Sequence, residues 1–257
     1  MTRRLAKHSK APFLKRISLR EDIAGNSDNA AFPFSVPFVR RRTLDIAFDR
    51  QVTIIVGENG TGKSTLLEGI ASQCGFNLAG GSVDNRFGNE RQAALAPFLR
   101  LSWLPKVSRG FFMRAESFFN FASYIDEIAR DSPPPRAYAA YGGGSLHARS
   151  HGEAFLALFE NRFGADSLYI LDEPEAALSP SRQFVFLRVL KELESKNCQV
   201  IMATHSPMLM AYPRADLLRL EEEGGIGRIG FRETSHYLLM REFMKDPDGF
   251  VAGMLRD

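Results

Sequence analysis

One nine-residue run constrains this chain more than any other part of its sequence. Residues 57–65 read Gly-Glu-Asn-Gly-Thr-Gly-Lys-Ser-Thr, which fits the spacing G-x-x-x-x-G-K-[ST] of a phosphate-binding P-loop. Residues 52–56 before it are β-branched and almost wholly apolar, as in a buried strand. Residues 64–72 after it favour a helix. We therefore predict the strand, loop and helix that a P-loop requires, rather than a chance glycine-rich turn.

The residue types in this run indicate how it would hold a phosphate. Its glycines allow backbone conformations that are closed to residues with a Cβ, so successive N–H groups can point inward. A helix begins there, and its dipole favours an anion. Lys63 is predicted to reach the β- and γ-phosphates, and the Ser64 hydroxyl to ligate Mg²⁺. The predicted nucleotide contacts are Gly57, Glu58, Asn59, Gly60, Thr61, Gly62, Lys63, Ser64 and Thr65.

A pair of carboxylates ends a second apolar run. Residues 168–173 read Leu-Tyr-Ile-Leu-Asp-Glu, which is typical of the Walker B motif. Asp172 is predicted to hold Mg²⁺ directly or through water. Because consecutive strand residues face opposite sides, Glu173 is predicted to point elsewhere, as a general base or a residue that positions the attacking water. The alternative is a pair of acids that caps the next helix.

A histidine follows the next apolar run. Residues 200–203 are succeeded by Thr204-His205-Ser206-Pro207. Ligands of open α/β sheets bind beside the carboxyl ends of the strands. We therefore predict that His205 hydrogen-bonds a γ-phosphate, the alternative being an ordinary loop histidine.

Strands and helices alternate along most of the chain. Strands are predicted at 13–20, 44–49, 98–104, 167–171 and 199–203, helices at 64–72, 153–163, 182–195 and 235–245, and a hairpin around 224–227. This order predicts an α/β fold with a mostly parallel sheet flanked by helices, preceded by N-terminal antiparallel strands. We expect a single domain over residues 1–257, with a small helical subdomain at 108–150.

Composition limits the classes of protein to consider. Of the 257 residues, 44% are hydrophobic and 25% are charged, as in ordinary globular proteins. No apolar run approaches the roughly 18 residues of a membrane span, and the basic start lacks the apolar segment of a secretory signal. The two cysteines, Cys74 and Cys198, lack metal-site spacing, which suits buried thiols in a reducing compartment. We therefore expect a cytoplasmic protein.

Charge is distributed unevenly. The net charge is +3, but residues 1–42 hold ten Lys and Arg against three Asp and Glu. Such a segment could contact nucleic acid or an acidic partner. A charged edge strand is the alternative, and it is favoured because basic and aromatic residues do not interleave as on a nucleic-acid platform.

Taken in order, these motifs resemble the ABC-type ATPase superfamily, and within it the small stand-alone bacterial ATPases related to the SMC and RecF branch. The run at 57–65 has the Asn-Gly-x-Gly-Lys-Ser-Thr form of that group. Ser150-His151-Gly152-Glu153 resembles a degenerate form of its signature motif, which is normally Leu-Ser-Gly-Gly-Gln. Residues 174–180, Pro-Glu-Ala-Ala-Leu-Ser-Pro, resemble its D-loop, and His205 matches its switch histidine.

The resemblance implies an ATPase that uses ATP and Mg²⁺, with Ser64 and Asp172 as metal ligands and Glu173, His205 and Lys63 as catalytic residues. It also implies a homodimer in the ATP state. Ser150 and Gly152 of one copy would complete the site at the P-loop of the other, because a helix N-terminus can bind an anion and one chain cannot fold that site over its own P-loop. His151 would add a donor or act as filler. The partner whose conformation changes on ATP hydrolysis would be a nucleic acid or another protein.

Two features depart from the family pattern. The usual Q-loop glutamine is missing, since neither Gln73 nor Gln92 follows a convincing strand. Glu116 is predicted at the lever position that joins the core to the helical subdomain, or else is a helix N-terminal charge. The aromatic residue that stacks on adenine is predicted to be Phe38, with nearby Phe34 as the alternative and a core role open for both.

These departures also bear on the partner. The degenerate signature and the missing glutamine argue against a membrane permease. Residues 66–149 contain no sustained heptad pattern, which argues against the coiled-coil arm of chromosome-maintenance ATPases. A compact relative that binds DNA stays as an alternative.

Overall fold

Two β-sheets and one helix between them organise the chain. The computed structural model describes residues 10–21, 31–82, 92–131, 138 and 143–256. Its strands are β1 Leu14–Leu19, β2 Asp45–Ala47, β3 Val52–Val56, β4 Leu99–Trp103, β5 Gly110–Arg114, β6 Leu168–Asp172, β7 Gln199–Ala203, β8 Ala215–Leu220 and β9 Ile226–Arg228. Its α-helices are α1 Pro37–Arg40, α2 Lys63–Gln73, α3 Phe118–Asp131, α4 His151–Arg162, α5 Pro180–Ser195, α6 Pro207–Met210, α7 Ser235–Lys245 and α8 Pro247–Met254.

The larger sheet has six strands in the order β5-β6-β7-β3-β8-β9. All neighbouring pairs from β5 to β8 are parallel, and only β9 runs antiparallel to its neighbour. The smaller sheet, β2-β1-β4, is antiparallel. The predicted α/β class, with a mostly parallel sheet and antiparallel strands near the N-terminus, is confirmed.

The larger sheet separates two hydrophobic clusters. Alternate residues of each central strand face opposite sides, so Val52, Ile54 and Val56 join one cluster while Ile55 joins the other. The first cluster is rich in phenylalanine and includes residues of α3, α4 and α5. The second contains the buried face of α2 and the inner side chains of the three-stranded sheet. Burial on both faces explains why the parallel strands are almost continuously apolar.

The segment predicted as a helical subdomain, 108–150, begins with a strand of the main sheet. Strand β5 pairs with β6, with Phe112 opposite Ile170, because its side chains are buried on both faces of the sheet. Helix α3 follows, and the ring of Phe121 packs edge-on against Phe111 at 5.3 Å between centroids. The proline run at 133–135 lies outside the described residues. The helical part of this segment therefore starts later than predicted, and its status as a subdomain stays a prediction.

Parallel pairing brings four strand ends to one edge of the sheet. The carboxyl ends of β5, β6, β7 and β3 meet there, as in other open α/β sheets. These ends lead into Arg114, Asp172, Thr204 and Gly57. Beyond them, the β8–β9 hairpin leads to the C-terminal helices α7 and α8. Across the described part of the chain, no helix has the length and apolar character needed to cross a membrane.

Candidate functional site

The P-loop connects β3 to α2, and the helix begins at Lys63. Gly62 precedes the helix with φ +94°, a left-handed conformation that favours glycine. A Cβ there would also lie 2.5 Å from Cγ1 of Val36 and 2.7 Å from Cε1 of Phe38. Both the backbone conformation and the available space therefore require glycine at this position.

Lys63 is only 5% exposed. Its ammonium donates to the carbonyls of Gly57 at 2.7 Å and Glu58 at 3.0 Å. Burial lowers the pKa of Lys63, and nearby carboxylates, Glu173 first, oppose that shift. The lysine is thus held inside the loop by the carbonyls that the loop itself presents.

An open cleft of about 350 Å³ lies on this loop. Its lining comprises Phe32, Ser35, Val36, Asn59, Gly60, Gly62, Lys63, Ser64, Thr65 and Glu173. Six of the nine residues predicted to contact a nucleotide therefore border one cavity. Backbone N–H groups at the start of a helix suit an anion, so the cleft fits a phosphate chain.

Ser64 and Asp172 meet at the floor of the site. Oγ of Ser64 donates to Oδ1 of Asp172 at 3.2 Å, although 108 residues separate them in the chain. Asp172 is 2% exposed at the end of β6. A hydroxyl and a carboxylate are the oxygen ligands that Mg²⁺ takes from proteins when phosphates supply others. The described residues contain no cluster of three His, Cys, Asp or Glu side chains suited to a metal.

Arg114 donates a hydrogen bond to the second carboxylate oxygen of Asp172. Its Nε donates to Oδ2 of Asp172 at 3.0 Å, and its Nη2 donates to Oε1 of Glu68 at 2.6 Å. The guanidinium thus bridges the end of β6 and helix α2. It supplies the positive charge that a buried carboxylate requires. The sequence analysis did not assign a contact to Arg114, because this contact depends on the order of the strands.

Glu173 takes a backbone conformation that the sequence did not predict. Its φ of 49° and ψ of 53° are left-handed, at a cost of about 1 kcal/mol or more for a residue with a side chain. Its N–H donates to the carbonyl of Ala203 at 3.0 Å. The side chain is 39% exposed and borders the P-loop cleft. The left-handed turn after the strand, rather than alternation along the strand, therefore directs this carboxylate.

His205 is held from two sides. Its backbone N–H donates to Oε1 of Glu175 at 2.5 Å, and its ring Nδ1 lies 3.3 Å from Nε2 of His236. The ring Nε2 lies 3.7 Å from Oε1 of Glu173. Oε2 of Glu175 is buried and has no hydrogen-bond partner among the described residues, and burial raises the pKa of that carboxyl. Neither Glu175 nor His236 was predicted to contact His205.

The segment that resembles the signature motif opens helix α4. The N–H of Ser150 donates to Oε2 of Glu153 at 3.1 Å. Arg182 on α5 donates to Oγ of Ser150 at 2.9 Å and to Oε1 of Glu153 at 2.8 Å. A Cβ on Gly152 would lie 2.6 Å from Nη1 of Arg182 and 3.1 Å from the carbonyl of Ala177. Glycine thus gives Arg182 the room to reach Ser150.

This segment and the P-loop cleft are separate within one copy. Among the described residues that border the cleft, neither Ser150 nor Gly152 occurs. The side chain of His151 lies outside the described part of the chain, so its two predicted roles stay predictions.

The prediction for the adenine-stacking aromatic is wrong for Phe38. Its ring is 1% exposed and packs under Gly62 of the P-loop, so it has no free face for a base. Phe34, the alternative, packs edge-on against Phe98 at 5.0 Å. Phe32 instead borders the cleft and is 60% exposed. Phe32 was not among the predicted stacking residues, although all three lie in one short aromatic stretch.

The lever position also has a structural location. Glu116 lies exposed in the 3-10 turn Ala115–Ser117, which joins β5 to α3. Gln73 donates to the carbonyls of Ala96 and Leu99 and therefore has a structural partner. Gln92 lies beside a stretch outside the described residues. The role of Glu116 stays a prediction.

Comparisons with known proteins agree with this geometry. Residues 146–211 match the family model "AAA domain, putative AbiEii toxin, Type IV TA system", and residues 35–95 match the model "AAA domain". An uncharacterized ABC transporter ATP-binding protein of Haemophilus influenzae is 26% identical over 77% of this chain and 79% of its own. A probable branched-chain amino acid transport ATP-binding protein of Archaeoglobus fulgidus is 28% identical over 78% of this chain and 91% of its own.

A solved structure is also similar. The SMC head domain from Thermotoga maritima is 20% identical, with a TM-score of 0.44, and the match covers 84% of this chain and 98% of that one. The match over residues 146–211 includes the Walker B strand, and the match over residues 35–95 includes the P-loop. The AAA-type domain matches and the ABC-type ATP-binding relatives agree with the resemblance of this chain to the ABC-type ATPase superfamily.

Proposed function

We propose that this protein binds ATP with Mg²⁺ and hydrolyses it. The observation that carries the proposal is the contact of Ser64 with Asp172 beside the P-loop cleft. The amides of the loop and Lys63 would bind the phosphates, and Ser64 and Asp172 would hold the cation. When bound, Mg²⁺ neutralises charge on the β- and γ-phosphate oxygens.

Glu173 is proposed to orient the attacking water and accept its proton. Its carboxylate borders the cleft on the side of Lys63, and it is partly exposed, so a water molecule can reach it. His205 is proposed to donate a hydrogen bond to the γ-phosphate from its ring Nε2. That nitrogen is buried and without a hydrogen-bond partner among the described residues, as a group awaiting a ligand would be.

Phe32 is proposed to pack against the adenine. Aromatic side chains stack on any base, because every base has a π-face. The exposed ring at the border of the P-loop cleft supports this role.

We further propose that ATP joins two copies of the chain head to tail. Ser150 and Gly152 of one copy would complete the site at the P-loop of the other. The separation of these residues from the cleft of their own copy supports this arrangement. The fixed hydrogen bonds around Ser150 support a preorganised anion site at the start of α4.

One observation favours a second function, that of the ATP-binding subunit of a membrane transporter. Two relatives are named as ATP-binding proteins of transporters, so the chain would serve as the energy subunit of a membrane permease. Co-purification with a membrane protein would favour this alternative. Stimulation of ATP hydrolysis by DNA or RNA, in a salt-dependent manner, would favour a nucleic-acid partner instead.

The test of hydrolysis uses the purified chain with Mg²⁺ and ATP. Release of phosphate is expected from the native protein and not from the Lys63→Ala variant, with Arg241→Ala as a surface control. Arg241 lies on α7, where it pairs with neighbouring Glu242 and its guanidinium lies 6.0 Å from the centroid of the Tyr237 ring. Equal phosphate release by the native protein and the Lys63→Ala variant would contradict the proposal.

A further inference from the structure

A second histidine touches the switch histidine. His236 lies in the first turn of α7, directly after Ser235. Its Nε2 is 3.3 Å from Nδ1 of His205, and the two ring centroids are 5.4 Å apart. His205 and His236 are 31 residues apart in the chain, so this contact is made by the fold rather than by a local motif.

The start of α7 is fixed at this place. Thr234 is 1% exposed, and its side chain accepts a hydrogen bond from the N–H of Tyr237 at 3.2 Å, which caps the helix. The hydroxyl of Ser235 donates to Oε1 of Glu58 at 3.3 Å. The first turn of α7 therefore lies between the P-loop and the end of β7, and His236 is not a freely moving surface residue.

A hydrogen bond between Nδ1 of His205 and Nε2 of His236 uses one proton, which belongs to one of the two rings. The ring that carries this proton determines whether Nε2 of His205 is a donor or an acceptor. If His205 carried it, a neutral ring would have only a lone pair on its own Nε2. That lone pair would face the carboxylate of Glu173 at 3.7 Å. If His236 carries it, the ring of His205 keeps its proton on Nε2 and presents a donor to acceptor oxygens.

The second arrangement fits the surroundings. The Nε2 atom of His205 is buried and has no hydrogen-bond partner among the described residues, and the carboxylate of Glu173, an acceptor, lies 3.7 Å away. A phosphate oxygen is also an acceptor. Burial, followed by the proximity of His205, lowers the pKa of His236, which favours a neutral ring with a single N–H. The other ring nitrogen of His236, Nδ1, lies 3.5 Å from Oγ of Ser235 and is the acceptor nitrogen in this arrangement.

We propose that His236 is a positioning residue that donates from Nε2 to Nδ1 of His205 and thereby holds His205 in the Nε2–H tautomer. This inference rests on the proposed function, because the proton on His205 matters only if that nitrogen meets a γ-phosphate. It also couples the C-terminal helix α7 to the centre of hydrolysis. A displacement of α7 would release the ring of His205 and also break the contact of Ser235 with Glu58 of the P-loop.

The first test measures the tautomer directly in the nucleotide-free protein. Nitrogen-15 NMR of the histidine rings distinguishes a protonated from an unprotonated nitrogen. The native protein is expected to show His205 protonated at Nε2 and bare at Nδ1. In the His236→Leu variant the Nδ1–H form should become populated. Protonation of His205 at Nδ1 in the native protein, or an unchanged tautomer in the variant, would overturn the inference.

The second test separates positioning from binding. His236→Leu should lower kcat for ATP hydrolysis about tenfold to a hundredfold, as loss of a partner that orients a functional histidine does, with KM for ATP nearly unchanged. His236→Gln keeps an N–H donor near the same place and should recover most of the loss. If the Gln variant is as slow as the Leu variant while both retain native melting curves, the donor role is wrong.

The two proposals fail differently. A native protein that hydrolyses no ATP but shows His205 protonated at Nε2, with loss of that form in His236→Leu, contradicts the proposed function and supports the hydrogen bond. An active protein with the opposite tautomer contradicts only the inference. If His236→Leu does not fold, the tautomer of His205 in the native protein and the kcat of His236→Gln still test the inference.

Discussion

The hydroxyl of Ser64 lies 3.2 Å from Oδ1 of Asp172, which joins the first turn of α2 to the end of β6. Strand β7 separates β6 from β3, the strand that leads into the P-loop. The contact therefore depends on the whole sheet and not on either motif alone. It brings the proposed metal ligands together before a cation is bound, so little rearrangement is needed for binding.

Arg114 is predicted to stabilise the fold most strongly when no cation is bound. Arg114→Ala leaves the buried carboxylate of Asp172 without its charged partner, which should cost about 1–3 kcal/mol of the free energy of unfolding. Mg²⁺ with ATP would supply a replacement charge, so the loss should shrink when both are present. Denaturant unfolding with EDTA and with Mg²⁺ and ATP measures the difference. An equal loss in both conditions would show that Arg114 and the cation do not share Asp172.

Glu175 is predicted to make stability depend on pH. Its pKa is raised by burial in the folded protein, so the unfolded chain loses this proton first as pH rises. The free energy of unfolding therefore falls between the ordinary carboxyl pKa and the raised folded value. Glu175→Gln keeps an oxygen to accept the N–H of His205, and it should be more stable than the native protein at pH 7.

The comparison of the two proteins at low pH is the control for that prediction. Below the ordinary carboxyl range, about pH 4, the native Glu175 is protonated in both states, and the advantage of the Gln variant should vanish. Thermal melts from about pH 3 to pH 8, which extend below the ordinary carboxyl pKa, measure this. A stability difference that does not vary with pH would contradict the role given to burial.

Phe32 and Phe38 are predicted to differ in what their loss removes. Phe32→Ala should raise KM for ATP roughly fivefold, which corresponds to about 1 kcal/mol, the lower limit for stacking of a base on an aromatic side chain. Its effect on stability should be small because the ring is exposed. Phe38→Ala should instead cost about 3–5 kcal/mol of stability. ATP binding titrations and thermal melts of both variants separate the two roles. Unchanged ATP affinity in Phe32→Ala would exclude it as the stacking residue.

Gly152 is predicted to be required for ATP-dependent dimerisation but not for ATP binding to a single chain. Gly152→Ala would displace Arg182 from Ser150, because the new Cβ would lie 2.6 Å from its Nη1. ATP-dependent dimerisation should weaken while ATP binding to the single chain persists. Gly164→Ala is the matched control, since a Cβ there meets no atom within 4 Å. Loss of dimerisation in both variants would point to a general effect on folding.

The sequence predicted the parts of the site that belong to continuous motifs. Strand β7 and helix α7 have the predicted bounds, and the P-loop run lies between a buried strand and a helix. Apolar strands and glycine spacing are local properties, so they can be read from the chain. The hairpin predicted around 224–227 is formed by β8 and β9. The parallel pairing of β8 with β3 and the final helix α8 were not predicted, because short segments of mixed polarity have no clear period.

What the sequence did not predict depends on contacts between distant segments. Arg114 reaches Asp172, and His236 reaches His205, only because the sheet brings their elements together. The left-handed backbone of Glu173 has no signature in composition, since glutamate rarely adopts it. Burial separated Phe38 from Phe32, and burial of one aromatic among neighbours is decided by packing.

The central claim is that ATP joins two copies and that Glu173 ends this state by enabling hydrolysis. Size-exclusion chromatography with light scattering of Glu173→Gln, with Mg²⁺ and ATP, tests it most directly. A species of twice the chain mass is expected with ATP, and a single-chain species without nucleotide or when Gly152→Ala is added to the variant. A Glu173→Gln protein that binds ATP and still runs as a single chain would contradict the account.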